Sequence, residues 1–106
     1  MSKVIGRFYF EIDSKNNLNG KFSNNLHTTN YSEIANRLSG TGFIGDFNTE
    51  WIDDKGPFKS HLKIDLKTGS MDIYSLNWKN GMIEFFGEGI IVNNILIGDY
   101  RNTVGV

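Results

Sequence analysis

Apolar and polar residues alternate along most of the sequence from Phe43 to Tyr100, and short segments rich in glycine and asparagine interrupt the alternation. A period of two is typical of an antiparallel sheet with one dry face and one solvated face. The predicted inner face reads Phe43, Gly45, Phe47, Thr49, Trp51, Phe58, Ser60, Leu62, Ile64, Leu66, Tyr74, Leu76, Trp78, Ile83, Phe85, Gly87, Gly89, Ile91, Leu96, Gly98 and Tyr100. The sequence therefore predicts a meander of strands whose inward side chains form the core.

Four turns set the expected pairing of these strands. Asn80-Gly81 is a strong two-residue hairpin signal, and Asn93-Asn94 suits a second tight turn because asparagine tolerates a positive φ. The segment 53–56 suits a four-residue loop, and 67–69 suits a three-residue loop with glycine in the left-handed position. The predicted pairs are Trp78 with Ile83, Ile91 with Leu96, Trp51 with Phe58, and Leu62 with Tyr74.

The N-terminal part adds two predicted strands and one predicted helix. Residues 4–12 alternate clearly, and residues 20–26 form a weaker strand with Phe22, Asn24 and Leu26 inward. Residues 30–39 predict a short helix that packs over one end of the barrel.

The helix prediction depends on its terminal signals and on one apolar face. Asn30 can cap the helix, with Glu33 three positions further on as in a capping box, and Gly40 can end it. The apolar face would consist of Tyr31, Ile34 and Leu38.

The expected fold is all-β: an antiparallel meander of seven to eight strands that closes into a small barrel, in a single domain over residues 1–106. Inward glycines favour a barrel over a curled sandwich because they allow strands to coil sharply. The same glycines could instead leave a cavity beside the large aromatic side chains, and the sequence leaves both readings open. These glycines are Gly6, Gly45, Gly87, Gly89 and Gly98.

The last strands resemble those of calycin-like meander barrels, the class of the lipocalins and avidins. The resemblance covers about a third of the chain and concerns strand architecture. It implies a barrel that holds a small apolar ligand at one open end. The pattern comprises Tyr74, Leu76 and Trp78, then Phe85, Gly87 and Gly89, then Leu96, Gly98 and Tyr100.

Charge and composition argue against several classes of partner. The net charge is −1 with both signs interspersed, so no basic stripe for nucleic acid is present. The longest apolar run, residues 89–92, is too short to cross a bilayer as a helix. The chain has no cysteine and no visible signal peptide, so we expect a cytoplasmic protein without nucleic-acid or membrane partners.

No catalytic, metal or cofactor motif is recognisable. His27 and His61 are the only histidines, and neither has a second ligand at metal-binding spacing. Asp72, or Asp46 with Glu50, could serve as acid and base in an enzyme, although a solvated outer face is the simpler explanation of Asp46 and Glu50. The sequence leaves enzymatic activity undecided and favours a non-catalytic protein without a cofactor.

Three functions remain open: a binding module, a protein–protein interaction or inhibitor module with a filled core, and an acid/base enzyme. The binding module would hold a small apolar ligand at one barrel end, with residues 27–40 as a lid. Its predicted ligand-binding residues are Thr49, Trp51, Ser60, Tyr74, Trp78 and Tyr100. An apolar patch on the outer face further predicts a homo-oligomer. The predicted interface residues are Ile73, Phe86, Ile90, Ile95 and Ile97.

Overall fold

The computed structural model describes residues 3–81 and 83–102. Each strand pairs antiparallel with its neighbour in the chain, and β1 also pairs with β8, so the sheet closes into a barrel. The predicted all-β meander barrel is confirmed. No helix among the described residues has the length and apolar character needed to cross a membrane. The strands are β1 (Ile5–Ile12), β2 (Leu18–Asn24), β3 (Tyr31–Thr41), β4 (Ile44–Asp53), β5 (Gly56–Leu66), β6 (Tyr74–Asn80), β7 (Ile83–Val92) and β8 (Ile95–Asn102).

Two of the four predicted registers are confirmed. Ile91 pairs with Leu96 across a turn in which Asn93 and Asn94 have φ values of 51° and 66°. Trp51 pairs with Phe58, although the loop between β4 and β5 is tighter than predicted because Asp53 already pairs with Gly56.

The other two registers are wrong by an even number of residues. Trp78 pairs with Phe85 instead of with Ile83, and Leu62 pairs with Trp78 instead of with Tyr74. Asn80 belongs to β6, where it pairs with Ile83, and its side-chain amide donates a hydrogen bond of 2.5 Å to the Lys59 carbonyl oxygen. An even shift keeps every side chain on its predicted face, so the inner face survives the error.

The predicted helix at 30–39 is wrong, because this segment lies in β3 and pairs with both β2 and β4. Ile34 and Leu38 are 50% and 57% exposed, whereas Glu33 and Ala35 are buried. In the sequence, the outward side chains Ile34 and Leu38 have the spacing of an apolar helix face, and the inward Glu33 has the position of a capping-box residue. β2 pairs with residues 31–35 and β4 pairs with residues 33–41, so the segment gains backbone hydrogen bonds from two strands. Two turns of helix with one apolar face could not match this.

The barrel has a packed end and an open end. Large apolar side chains fill the packed half, where the loops at 13–17, 42–43, 67–73 and 93–94 lie. Arg37 points inward there, 4.8 Å above the Phe47 ring, and donates to the carbonyl oxygens of Asn16, Gly42 and Ile44. Its guanidinium thereby ties two loops together and closes this end. The fully buried side chains include Phe10, Leu18, Phe47, Leu62, Ile64, Leu76 and Leu96.

Inward glycines make room for aromatic rings. A Cβ atom on Gly6 would lie 2.5 Å from Tyr100 Cζ, and one on Gly87 would lie 3.1 Å from Trp78 Cζ3. Each ring therefore rests directly on the sheet backbone. This close packing lets Tyr100 and Trp78 stand side by side within the barrel.

Substitutions at neighbouring positions of β3 should separate the strand from the helix. Ala35→Leu should lower the free energy of unfolding by ~1–3 kcal/mol, because the site is filled. Ile34→Thr should change it by less than ~0.5 kcal/mol, because the side chain faces solvent and threonine suits a strand. Urea denaturation measures both values. A larger loss of unfolding free energy for Ile34→Thr than for Ala35→Leu would contradict the strand and favour the predicted helix.

Candidate functional site

A cavity of about 710 Å³ occupies the half of the barrel opposite Arg37. Its volume falls within the ~300–1,000 Å³ typical of small-molecule sites. The connection from β2 to β3 and the turn from β4 to β5 surround its mouth. The lining residues include Val4, Phe8, Phe22, Asn24, Leu26, His27, Glu33, Trp51, Asp53, Asp54, Lys55, Phe58, Trp78, Ile83, Phe85, Tyr100 and Asn102.

Aromatic rings form most of the cavity wall. The Phe22 ring lies 6.0 Å from Trp51 and 6.3 Å from Tyr100, both edge-on. The ring centroids of Trp78 and Tyr100 are 5.8 Å apart, and Trp51 stacks on Phe58 at the same distance. These edge-to-face and stacked contacts are the geometries that hold aromatic side chains rigid. The wall is therefore preorganised and apolar.

One carboxyl group lies in this aromatic surrounding. Glu33 is 4% exposed, lines the cavity from β3, and accepts a hydrogen bond of 2.9 Å from Trp78 Nε1 on β6. The Thr49 hydroxyl on β4 also supports the carboxylate. Thr49 Oγ1 in turn lies 2.7 Å from Ser60 Oγ on β5. Hydroxyl and indole groups from three strands thus hold the Glu33 side chain in place.

Burial raises the pKa of Glu33 to about 7, although the hydrogen bonds from Trp78 and Thr49 oppose the shift. Desolvation disfavours the charged form, and no cationic side chain pairs with this carboxylate among the described residues. Glu33 consequently changes charge near neutral pH. Strongly shifted carboxyl groups in cavities are characteristic of functional sites.

A polar cluster lies at the mouth of the cavity. Asp54 accepts a 2.6 Å hydrogen bond from the Tyr31 hydroxyl and lies 3.4 Å from His27 Nδ1. This hydrogen bond lowers the pKa of Asp54 and raises that of Tyr31 to about 12. The His27 and Tyr31 rings meet edge to face at 4.9 Å. The cluster ties the β2–β3 connection to the β4–β5 turn, so the mouth has a defined edge.

Three of the six residues predicted to bind a ligand line the cavity. Trp51, Trp78 and Tyr100 line the cavity, and Thr49 and Ser60 form the hydroxyl pair behind Glu33. Tyr74 lies at the packed end, where it begins β6 and pairs with Gly89. Of the segment 27–40 predicted as a lid, His27 lines the cavity, and the part from Tyr31 onward belongs to β3.

Sequence reasoning missed the polar anchor of the cavity. Glu33 was assigned to a helix cap, and Phe22 and Asn24 were placed on the inner face without a role in the site. Asn24 Nδ2 donates 3.1 Å to the Tyr100 hydroxyl, so it positions that ring. The available signal for a strand was the period of two from Tyr31 to Arg37, with charged side chains on the inner face.

The groups considered for acid/base catalysis lie away from the cavity. Asp46 contacts His61 at 2.9 Å on the outer wall, and this hydrogen bond lowers the pKa of Asp46. Asp72 bonds to Ser70 in the loop between β5 and β6. Within the described part of the chain, no group of three histidine, cysteine or acidic residues is placed to hold a metal ion.

Comparisons with protein-family models, with curated proteins and with solved structures found no match to this chain.

The predicted interface residues lie on the outer wall. Ile90 of β7 pairs with Ile97 of β8, and the two side chains are 49% and 47% exposed. On the other side of Ile97 lies Tyr9 of β1. Phe86 is 38% exposed, and Ile73 and Ile95 are half-buried. Lys67 contacts Glu88 at 3.0 Å beside them, so charges of both signs border the patch. Self-association through this patch stays a prediction.

Sedimentation at micromolar concentration tests that prediction. We expect a dimer or larger oligomer, and Ile90→Asp should dissociate it because the charge would be desolvated in the interface. Ile34→Asp, at an equally exposed isoleucine on β3, should leave it assembled. A wild-type monomer, or equal effects of the two variants, would count against the patch.

The buried carboxyl group predicts a pH-dependent stability. Its pKa rises from 4.5 to about 7 on folding, so the unfolded chain loses this proton first as the pH rises. Stability should therefore fall between these two pH values and then stay level, by a total of ~3 kcal/mol.

Glu33→Gln keeps an oxygen acceptor for the Trp78 indole and removes the titration. Urea denaturation at several pH values should show a steeper loss of stability from acidic to neutral pH in the wild type than in Glu33→Gln. Parallel pH profiles for the two proteins would show that the carboxyl group is not buried as described.

Proposed function

We propose that this protein is a small-molecule binding module that holds a ligand with an apolar body at the open end of its barrel. The observation that carries the proposal is the aromatic-walled cavity of about 710 Å³. An interaction module with a filled core would not need a void of this size, because protein interiors are otherwise close-packed. The absence of cysteine fits a reducing compartment, so we also propose a cytoplasmic location.

The division of the barrel supports the same conclusion. The packed half contains the fully buried aliphatic residues. The open half combines rigid rings with a few convergent polar groups, which is the usual composition of a ligand pocket. Its wall includes both tryptophans, Trp51 and Trp78, so a bound molecule should alter the intrinsic fluorescence.

Binding of N-phenyl-1-naphthylamine, an uncharged fluorescent probe, tests the proposal. The probe should gain fluorescence and quench tryptophan emission on titration into the wild type. Trp51→Ala should weaken binding about three- to tenfold, because aromatic contacts contribute ~0.5–1.5 kcal/mol each.

Phe86→Ala is the matched control, since this ring faces outward on β7 and does not line the cavity. It should leave the affinity unchanged. Absence of binding to the wild type, or an equal loss in both variants, would contradict the proposal.

A further inference from the structure

We propose that the ligand is an organic cation, a protonated amine on an apolar body, whose ammonium group pairs with the Glu33 carboxylate while the body lies between the aromatic walls. This inference rests on the proposed function and adds the chemical class of the ligand. Three features of the cavity carry it: the unpaired carboxylate, the rings around it, and the charge of the mouth.

The carboxylate has neutral donors and no counter-ion among the described residues. Trp78 Nε1 donates to Glu33 Oε2 at 2.9 Å, and the neutral Thr49 hydroxyl also favours the charged form of the carboxyl group. The inward guanidinium of Arg37 is committed to three carbonyl oxygens at the packed end. A buried charge without a partner is costly, so a cation that enters the cavity replaces the missing counter-ion.

The surrounding rings favour a cation over a neutral polar group. Phe22, Trp51, Trp78 and Tyr100 line the same cavity as Glu33. The faces of aromatic rings attract ammonium groups, most strongly where water is excluded, and tryptophan is the best such partner. Rings and a carboxylate together recognise both parts of an amphiphilic amine.

The charges at the mouth of the cavity disfavour an anionic ligand. Asp53 and Asp54 border the entrance, and Lys55 is the one lysine or arginine among the described lining residues. With Glu33 ionised, three carboxylates face one ammonium group around the cavity. A fatty acid or another organic anion would therefore be repelled, whereas a cation is drawn in.

Binding should depend on the charge of Glu33. The other titratable inward group beside it is Tyr100, which stays neutral because burial raises its pKa to about 12. At the mouth, the charged or titratable groups are His27, Asp53, Asp54 and Lys55. Because these other groups also lie near the cavity, the contribution of Glu33 is obtained as the difference between the wild type and Glu33→Gln.

Three probes of matched shape test the inference: 1-naphthylmethylamine, 1-naphthalenemethanol and 1-naphthoate, titrated into the full chain by calorimetry. At about pH 8, where Glu33 is ionised, the amine should bind about tenfold or more tighter than the alcohol, and the carboxylate should bind weakest. In Glu33→Gln the amine should lose this advantage while the alcohol keeps its affinity. Lowering the pH to about 5.5 should weaken amine binding in the wild type more than in Glu33→Gln.

Each outcome separates the two proposals. Equal affinities of the wild type for all three probes, or a preference for 1-naphthoate, would overturn the proposal of a cationic ligand. The cavity would then be a general apolar pocket. No binding of any probe would overturn the proposed function itself. An amine preference that survives in Glu33→Gln would assign the selectivity to the mouth and contradict the role of Glu33. The comparison of the three probes on the wild type tests whether the cavity prefers a cation, even if Glu33→Gln fails to fold.

Discussion

The hydrogen bond from the Trp78 indole to the Glu33 carboxylate is the interaction on which the open half of the barrel depends. It joins β3 to β6 across the interior, since these strands are not neighbours in the sheet. The bond fixes the tryptophan ring that packs against Phe8 and Tyr100, and it satisfies an indole that would otherwise be buried without an acceptor. Because the acceptor is a carboxylate, the same bond places a titratable charge within an aromatic wall.

The two halves of the barrel differ in how their interiors are packed. At the packed end, aliphatic side chains fill the interior and Arg37 closes the loops with hydrogen bonds to backbone carbonyl oxygens. At the open end, the large rings support one another and leave space between them. A stable half can support a half that holds a desolvated carboxyl group and is partly empty, which is how proteins generally retain desolvated groups at functional sites.

The sequence predicted the wall of the barrel well because side-chain alternation survives even-numbered errors in register. The pairs of Trp78 were misassigned, and yet Trp78 still faced inward. The sequence failed in β3, where Glu33 and Arg37 point inward and Ile34 and Leu38 point outward, so that hydrophobicity indicates the wrong face. Such an inversion is stable only when other strands supply partners, and a single strand cannot reveal partners that lie elsewhere in the chain. The anchor of the cavity was missed for that reason, while the tryptophans and Tyr100 were found.

The charge state of Glu33 is the most direct test of this account. Carbon-13 NMR of labelled glutamate side chains, assigned by comparison with Glu33→Gln, follows each carboxyl group as the pH changes. Glu33 should titrate near pH 7, and saturation with 1-naphthylmethylamine should lower its pKa because an ammonium group stabilises the anion. A Glu33 carboxyl group that titrates near its ordinary value of 4.5, and does not respond to the amine, would contradict both the buried anchor and the ligand proposed for it.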